Sequence, residues 1–75
     1  MSLKDLAIGQ QATVLGFEGD ARLIGLLREI GFYEDADVEN LGKGPFGAPY
    51  QIRLGRSVIA LRPEEADAVK VVPVL

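Results

Sequence analysis

The 75-residue sequence contains no cysteine, no histidine and no tryptophan. Without thiols there is neither a disulfide nor a thiolate metal site, and without imidazole there is no Cys/His zinc centre, no histidine general base and no His-dependent triad. The hydroxyls of Ser2, Thr13, Ser57, Tyr33 and Tyr50 therefore have no imidazole to activate them, and Lys4, Lys43 and Lys70 fall at chain ends or loops rather than in a core that would make one a base. Gly42, Gly44 and Gly47 lack the Gly-Lys-Ser/Thr ending of a phosphate loop. These absences argue against an enzyme. Positive charge is also scarce: 8 basic residues against 11 acidic ones give a net charge of −3 and a pI near 4.7, which opposes a phosphate polymer as partner. No apolar run approaches the roughly 18 residues of a membrane span. Met1 leads directly into SLKDLAIGQ, without the basic and apolar regions of a signal peptide. The expectation is a soluble cytoplasmic protein, not inserted in a membrane, that binds no nucleic acid.

A chain of 75 residues has room for one domain, residues 1–75, and so small a domain buries only about 60% of its unfolded surface. The most informative stretch is Lys43 to Ala66, KGPFGAPYQIRLGRSVIALRPEEA. With Gly55 and Arg56 as a type II′ turn, Leu54 faces Ser57, Ile52 faces Ile59 and Tyr50 faces Leu61. That register gathers the apolar side chains on one face and leaves Gln51, Arg53, Val58, Ala60 and Arg62 on the other.

Elsewhere the signals are local. Ser2 with Asp5 forms a capping-box-like start to a helical turn over about 2–6, and Leu3, Leu6 and Ile8 supply apolar side chains to bury. Gln10 to Phe17 reads as a strand with apolar residues, Leu15 included, on both faces, so its outer face is expected to be partly covered; Gly16 marks a bulge. Asp20 caps a helix over about 20–30 that Gly31 closes. Its buried stripe centres on Leu23, Leu27 and Ile30, with Leu26 and Ile24 at the margins. Ala36 to Leu41 and Val69 to Val74 are further strands, the latter placed at an edge by Pro73. Pro63 opens a helical turn over 63–68. Five strands and one inserted helix make a mainly β chain, and a small, partly open five-stranded β-barrel encloses the core most economically.

Three sets of residues are candidates for function. Ala21 and Gly25, one turn apart, leave a helix face, shared with Arg28, where another backbone could come close; the blander reading, and the one the residues alone favour, is that Gly25 is a tolerated weakness. Phe46 and Gly47 stand at the tip of a Gly/Pro loop, the aromatic either tucked back or presented to a partner. Glu64, Glu65 and Asp67, and separately Asp37 and Glu39 on one strand face, could offer oxygen ligands to a divalent ion. The bland alternatives are the helix dipole for the first carboxylates and a solvated strand face for the second.

The run LREIGFYEDADV (Leu27 to Val38), followed by PFGAPYQIRLGRSVIALRPEEA (Pro45 to Ala66) and preceded by LKDLAIGQQATV (Leu3 to Val14), resembles the FeoA family of bacterial ferrous iron transport accessory proteins. The chain departs from the family at Glu34 and Asp35, where Pro-Gly is common, and at Gly47, Ala48, Pro49, where Gly-Gly-Pro is common. The resemblance implies an SH3-like barrel that supports the FeoB-type iron permease, which carries a GTP-binding domain, through its cytoplasmic or its membrane part. It also implies transition metal ion binding, for which this chain has only oxygen donors, so no cofactor is required and any metal binding is weak. The alternative is an SH3-like peptide or protein interaction module related to the C-terminal domain of metal-dependent repressors. A monomer or weak homodimer is expected, the Val69–Val74 edge being available for pairing.

Overall fold

Asp20 and Gly31 bracket the helix as their chemistry requires. In a computed structural model, which describes residues 1–74, α1 runs Ala21–Ile30, the Asp20 carboxylate accepts from the Leu23 N–H at 2.8 Å, and Gly31, at φ +123°, donates its N–H to the Leu27 and Arg28 carbonyls. The strands are β1 (Gln11–Phe17), β2 (Asp37–Lys43), β3 (Tyr50–Leu54), β4 (Ser57–Leu61) and β5 (Val69–Pro73), with a short α2 (Pro63–Ala68) between the last two. A 3₁₀ turn, Leu3–Asp5, precedes them. All pairings are antiparallel, in the order β4-β3-β2-β1-β5. The ends of the sheet, β4 and β5, are not bonded to each other; α2 connects them, so the barrel is partly open as expected.

The β3–β4 hairpin has the expected register, Leu54 to Ser57, Ile52 to Ile59 and Tyr50 to Leu61, and Gly55 adopts φ +59° at the first turn position. Two bulges bend the sheet round its core. One lies between Val14 and Gly16 on β1, where Gly16 predicts it, and the other between Asn40 and Gly42 on β2. Asp35 takes φ +72°, the left-handed conformation for which Gly is usual, so the departure at Glu34 and Asp35 keeps the turn.

Inside lie Leu3, Leu6, Val14, Leu27, Phe32, Val38, Ile52, Leu61 and Val69, with Tyr50 at their edge. Three expectations of burial are corrected. Ile30 points toward the barrel by helical period, but as the last residue of α1, where Gly31 turns the chain away, it is 37% exposed. Ile8 occupies the turn made by Gly9 and stands out at 74%. Leu15 is 65% exposed, because none of the described elements lies over the outer face of β1 there.

The N-terminal turn is held by Asp5, whose carboxylate accepts from the Ser2 N–H at 2.9 Å and from the Ser2 hydroxyl at 3.4 Å. The backbone bond from Ser2 keeps the Asp5 carboxyl below its ordinary range. A depressed carboxyl stabilises the fold fully above the ordinary carboxylate range and loses that contribution as the pH falls through its own lower value. Asp5→Asn is therefore expected to reduce stability at neutral pH and to flatten the acid limb of a thermal-melt series below about pH 4.

Candidate functional site

Packing α1 against α2 opens a groove of about 740 Å³, which is lined by Ala21, Leu23, Gly25 and Leu26 of α1 and by Arg62, Glu64 and Glu65 at the start of α2. Asp20, Arg22 and Glu29 complete its rim. Two of the charges are already committed to backbone: Asp20 caps α1, and the Glu65 carboxylate accepts from the Arg62 N–H at 2.7 Å. The floor is made of small and aliphatic side chains. A Cβ built on Gly25 would meet nothing within 4 Å, so no internal contact demands glycine there. Sequence reasoning singled out Ala21 and Gly25 but not the groove, since its second wall comes from residues about 40 positions later.

The other expected contact residues lie apart from this groove. Arg28 is held within the chain, its guanidinium 4.9 Å from the centre of the Phe17 ring and paired with the Glu34 carboxylate at 3.1 and 3.3 Å. That pairing keeps the Glu34 carboxyl below its usual range. Phe46 and Gly47 lie on the β2–β3 loop. The loop is tied by Gly44 N–H to Pro49 C=O at 3.1 Å and by Gly47 N–H to Gly44 C=O at 2.9 Å; a Cβ on Gly44 would collide with the Ala48 carbonyl oxygen. At its tip Phe46 is 98% exposed, so the ring is not tucked back on the barrel.

The carboxylates form two separate sets. On β2, Asp37 and Glu39 do share a face, and Arg53 of β3 bridges them, at 3.2 Å to Asp37 and 3.3 Å to Glu39. On α2, Asp67 Oδ1 lies 3.5 Å from the Ser2 hydroxyl, Glu65 serves the Arg62 N–H, and Glu64 faces the groove. Among the described residues no three Asp or Glu side chains converge as metal ligands. Oxygen donors that do not converge, with Asp37 and Glu39 engaged by a guanidinium and Glu65 by a backbone N–H, do not fit a resident transition metal.

Sequence reasoning missed Asn40, which is 5% exposed. Its side chain donates to the Leu6 carbonyl at 2.7 Å and accepts from the Gly42 N–H at 2.9 Å, while its backbone bonds Gly9 and Gln10. The signal was available, because Asn40 continues the inward phase of Ala36 and Val38.

Compared with known proteins, residues 1–73 match the model of the FeoA domain. The chain belongs to the FeoA domain family. A FeoA from Stenotrophomonas maltophilia, solved in complex with zinc and described as a prokaryotic SH3 domain protein, is 32% identical, with 95% of this chain and 88% of that one covered at a TM-score of 0.80. A FeoA-like protein from Clostridium acetobutylicum has the same fold at 24% identity, with 100% and 87% covered and a TM-score of 0.92. A manganese-dependent transcriptional repressor contains a similar fold, at 20% identity and a TM-score of 0.90; 99% of this chain is covered but only 36% of the repressor. No curated protein matches the sequence significantly. No described helix is long and apolar enough to cross a membrane.

Proposed function

We propose that this FeoA-family chain is a non-catalytic cytoplasmic accessory of ferrous iron uptake, docking on the FeoB-type permease through the α1–α2 groove. The observation that carries the reading is Gly25. An exposed glycine within a helix costs about 1 kcal/mol relative to alanine, and here it brings no internal packing, since its Cβ position is open. What it does provide is access for a foreign backbone to a groove floored by Ala21 and Leu26. Family membership and the Stenotrophomonas FeoA, described as a candidate ferrous iron transport activating factor, support iron uptake as the setting. No resident metal is required, and any divalent ion held by Glu64, Glu65, Asp67, Asp37 or Glu39 is bound weakly. Phe46 adds a second contact, because a rigid loop holds an apolar ring in solvent at a position that contributes nothing to the core.

The test is a titration of the chain against the permease's cytoplasmic GTP-binding domain. Saturable binding is expected, with Phe46→Ala weakening it about tenfold while leaving the melting temperature unchanged, as loss of an interface aromatic but not a core one would do. Absence of binding at tens of micromolar to either the GTP-binding domain or the permease's membrane part would overturn the reading. The repressor-like fold favours a second one, an SH3-like interaction module serving another protein, and the same titration separates the two.

A further inference from the structure

The sheet has two edges, and among the described residues only one of them is covered. Along β5 the N-terminal segment lies against the outer side, with the Val71 N–H donating to the Met1 carbonyl at 2.9 Å and Ser2 bridging Lys70. This leaves little of the Val69–Val74 edge free for the pairing expected of it. β4 has β3 as its sole strand partner among the described residues.

Hairpin geometry determines which groups β4 leaves bare. The two-residue turn makes Leu54 and Ser57 a hydrogen-bonded pair, so alternation directs the N–H and C=O of Ser57, Ile59 and Leu61 at β3 and those of Val58 and Ala60 outward. Arg62 ends the window: its N–H goes to the Glu65 carboxylate at 2.7 Å and its carbonyl accepts from the Glu65 and Ala66 N–H groups at 3.0 Å each. Val58, 62% exposed, and Ala60 thus offer two donors and two acceptors in register for one short extended segment.

Charge narrows the occupant. Arg53, directly across from Val58, is engaged by Asp37 and Glu39, whereas Arg56 and Arg62, at either end of the window, are exposed and have no acidic partner among the described residues. Val58, Ala60 and, in the extended residue after the strand, Arg62 project to the same side, and Arg56 stands in the turn at the other end of the window. We propose that the β4 edge receives an extended acidic segment of a partner protein as a sixth strand. Carboxylates spaced six residues apart lie opposite Arg56 and Arg62, and two small or β-branched side chains between them cover Val58 and Ala60. A second copy of this chain is a poor occupant: pairing Val58 against Ala60 of the copy sets Arg56 opposite Arg62 twice, and like charges directly opposite destabilise a strand pair, while the neighbouring registers set Ala60 against the turn residue Arg56 or Val58 against Arg62, whose N–H and C=O are already bonded. The proposal does not rest on the groove reading.

The test is an NMR titration of the ¹⁵N-labelled full chain with the peptide acetyl-Ser-Glu-Thr-Val-Thr-Val-Thr-Glu-Ser-amide. Shifts centred on Val58 to Arg62 and saturating below about 1 mM are expected. Replacing both glutamates by lysine should weaken binding severalfold at low salt. Ala60→Pro removes one outward N–H while sparing the bonds to β3, and proline is tolerated on an edge strand, so it should abolish the shifts. Arg56→Glu, in an exposed turn, leaves Arg62 as the one cation of the pair and should erase the preference between the two peptides, and it decides the matter even where the proline variant does not fold. Shifts mapping away from β4, an Arg56→Glu variant that prefers the glutamate peptide as strongly as wild type does, or a dimer of the free chain that Ala60→Pro dissolves would each overturn the proposal.

Discussion

Asn40→Ala is expected to lower stability by about 3 kcal/mol, roughly 15 °C in melting temperature for a domain of this size. The substitution removes one side chain but strands two buried groups, the Leu6 carbonyl and the Gly42 N–H, which bond it at 2.7 and 2.9 Å. An unsatisfied buried polar group costs about 1–3 kcal/mol, more than the net gain from an average hydrogen bond. The positions involved make the loss cooperative. Leu6 ends the N-terminal turn, Gly42 follows the β2 bulge, and the Asn40 backbone accepts from the Gly9 N–H at 2.6 Å and donates to the Gln10 carbonyl at 3.2 Å. Asn40 thus fastens the entry to β1 to the middle of β2. Asn40→Leu keeps the volume and should lose nearly as much; if it melts within a few degrees of wild type, packing rather than the carboxamide is what matters there.

The fold was largely legible because its decisive signals are local. A two-residue turn beginning with Gly55 fixes the hairpin register, and the apolar alternation of Tyr50, Ile52 and Leu54 agrees with it. Asp20 and Gly31 delimit α1 by the chemistry of its orphan N–H and C=O groups. Burial was less legible, because periodicity gives a direction but not the distance to the nearest neighbour. Ile30 points correctly and still stands in solvent, and Leu15 has the apolar character of a covered residue with nothing over it.

Of the candidate site, the sequence showed the half that lies on one element. Ala21 and Gly25 are visible as a small-residue face, but the wall opposite them depends on how α2 docks after four strands have been laid down. The carboxylates illustrate the same limit. Asp37 and Glu39 share a face as alternation requires, yet what they do there is decided by Arg53, a residue of the neighbouring strand 14 positions beyond Glu39. Charge spacing along one segment shows where the oxygens point, whereas the cation that meets them is a tertiary fact.

Gly25 offers a prediction in which stability and binding move in opposite directions. Gly25→Ala should raise stability by about 1 kcal/mol, roughly 5 °C, because the helix gains propensity and the new methyl enters open space. If the α1–α2 groove receives the permease, the same methyl intrudes on the approaching backbone and affinity should fall severalfold. Gly25→Arg, which projects a long charged chain over Ala21 and Leu26, should reduce it by at least about a hundredfold, the scale of losing an interface hot spot. Thermal melts and titration against the GTP-binding domain read the two effects separately. A variant that is more stable but binds less well cannot be explained as a damaged fold, and it would identify the missing side chain at position 25 as space kept open for a partner. Were Gly25→Arg to bind as tightly as wild type, the groove would not be the contact, and the glycine would be a weakness that the fold merely tolerates.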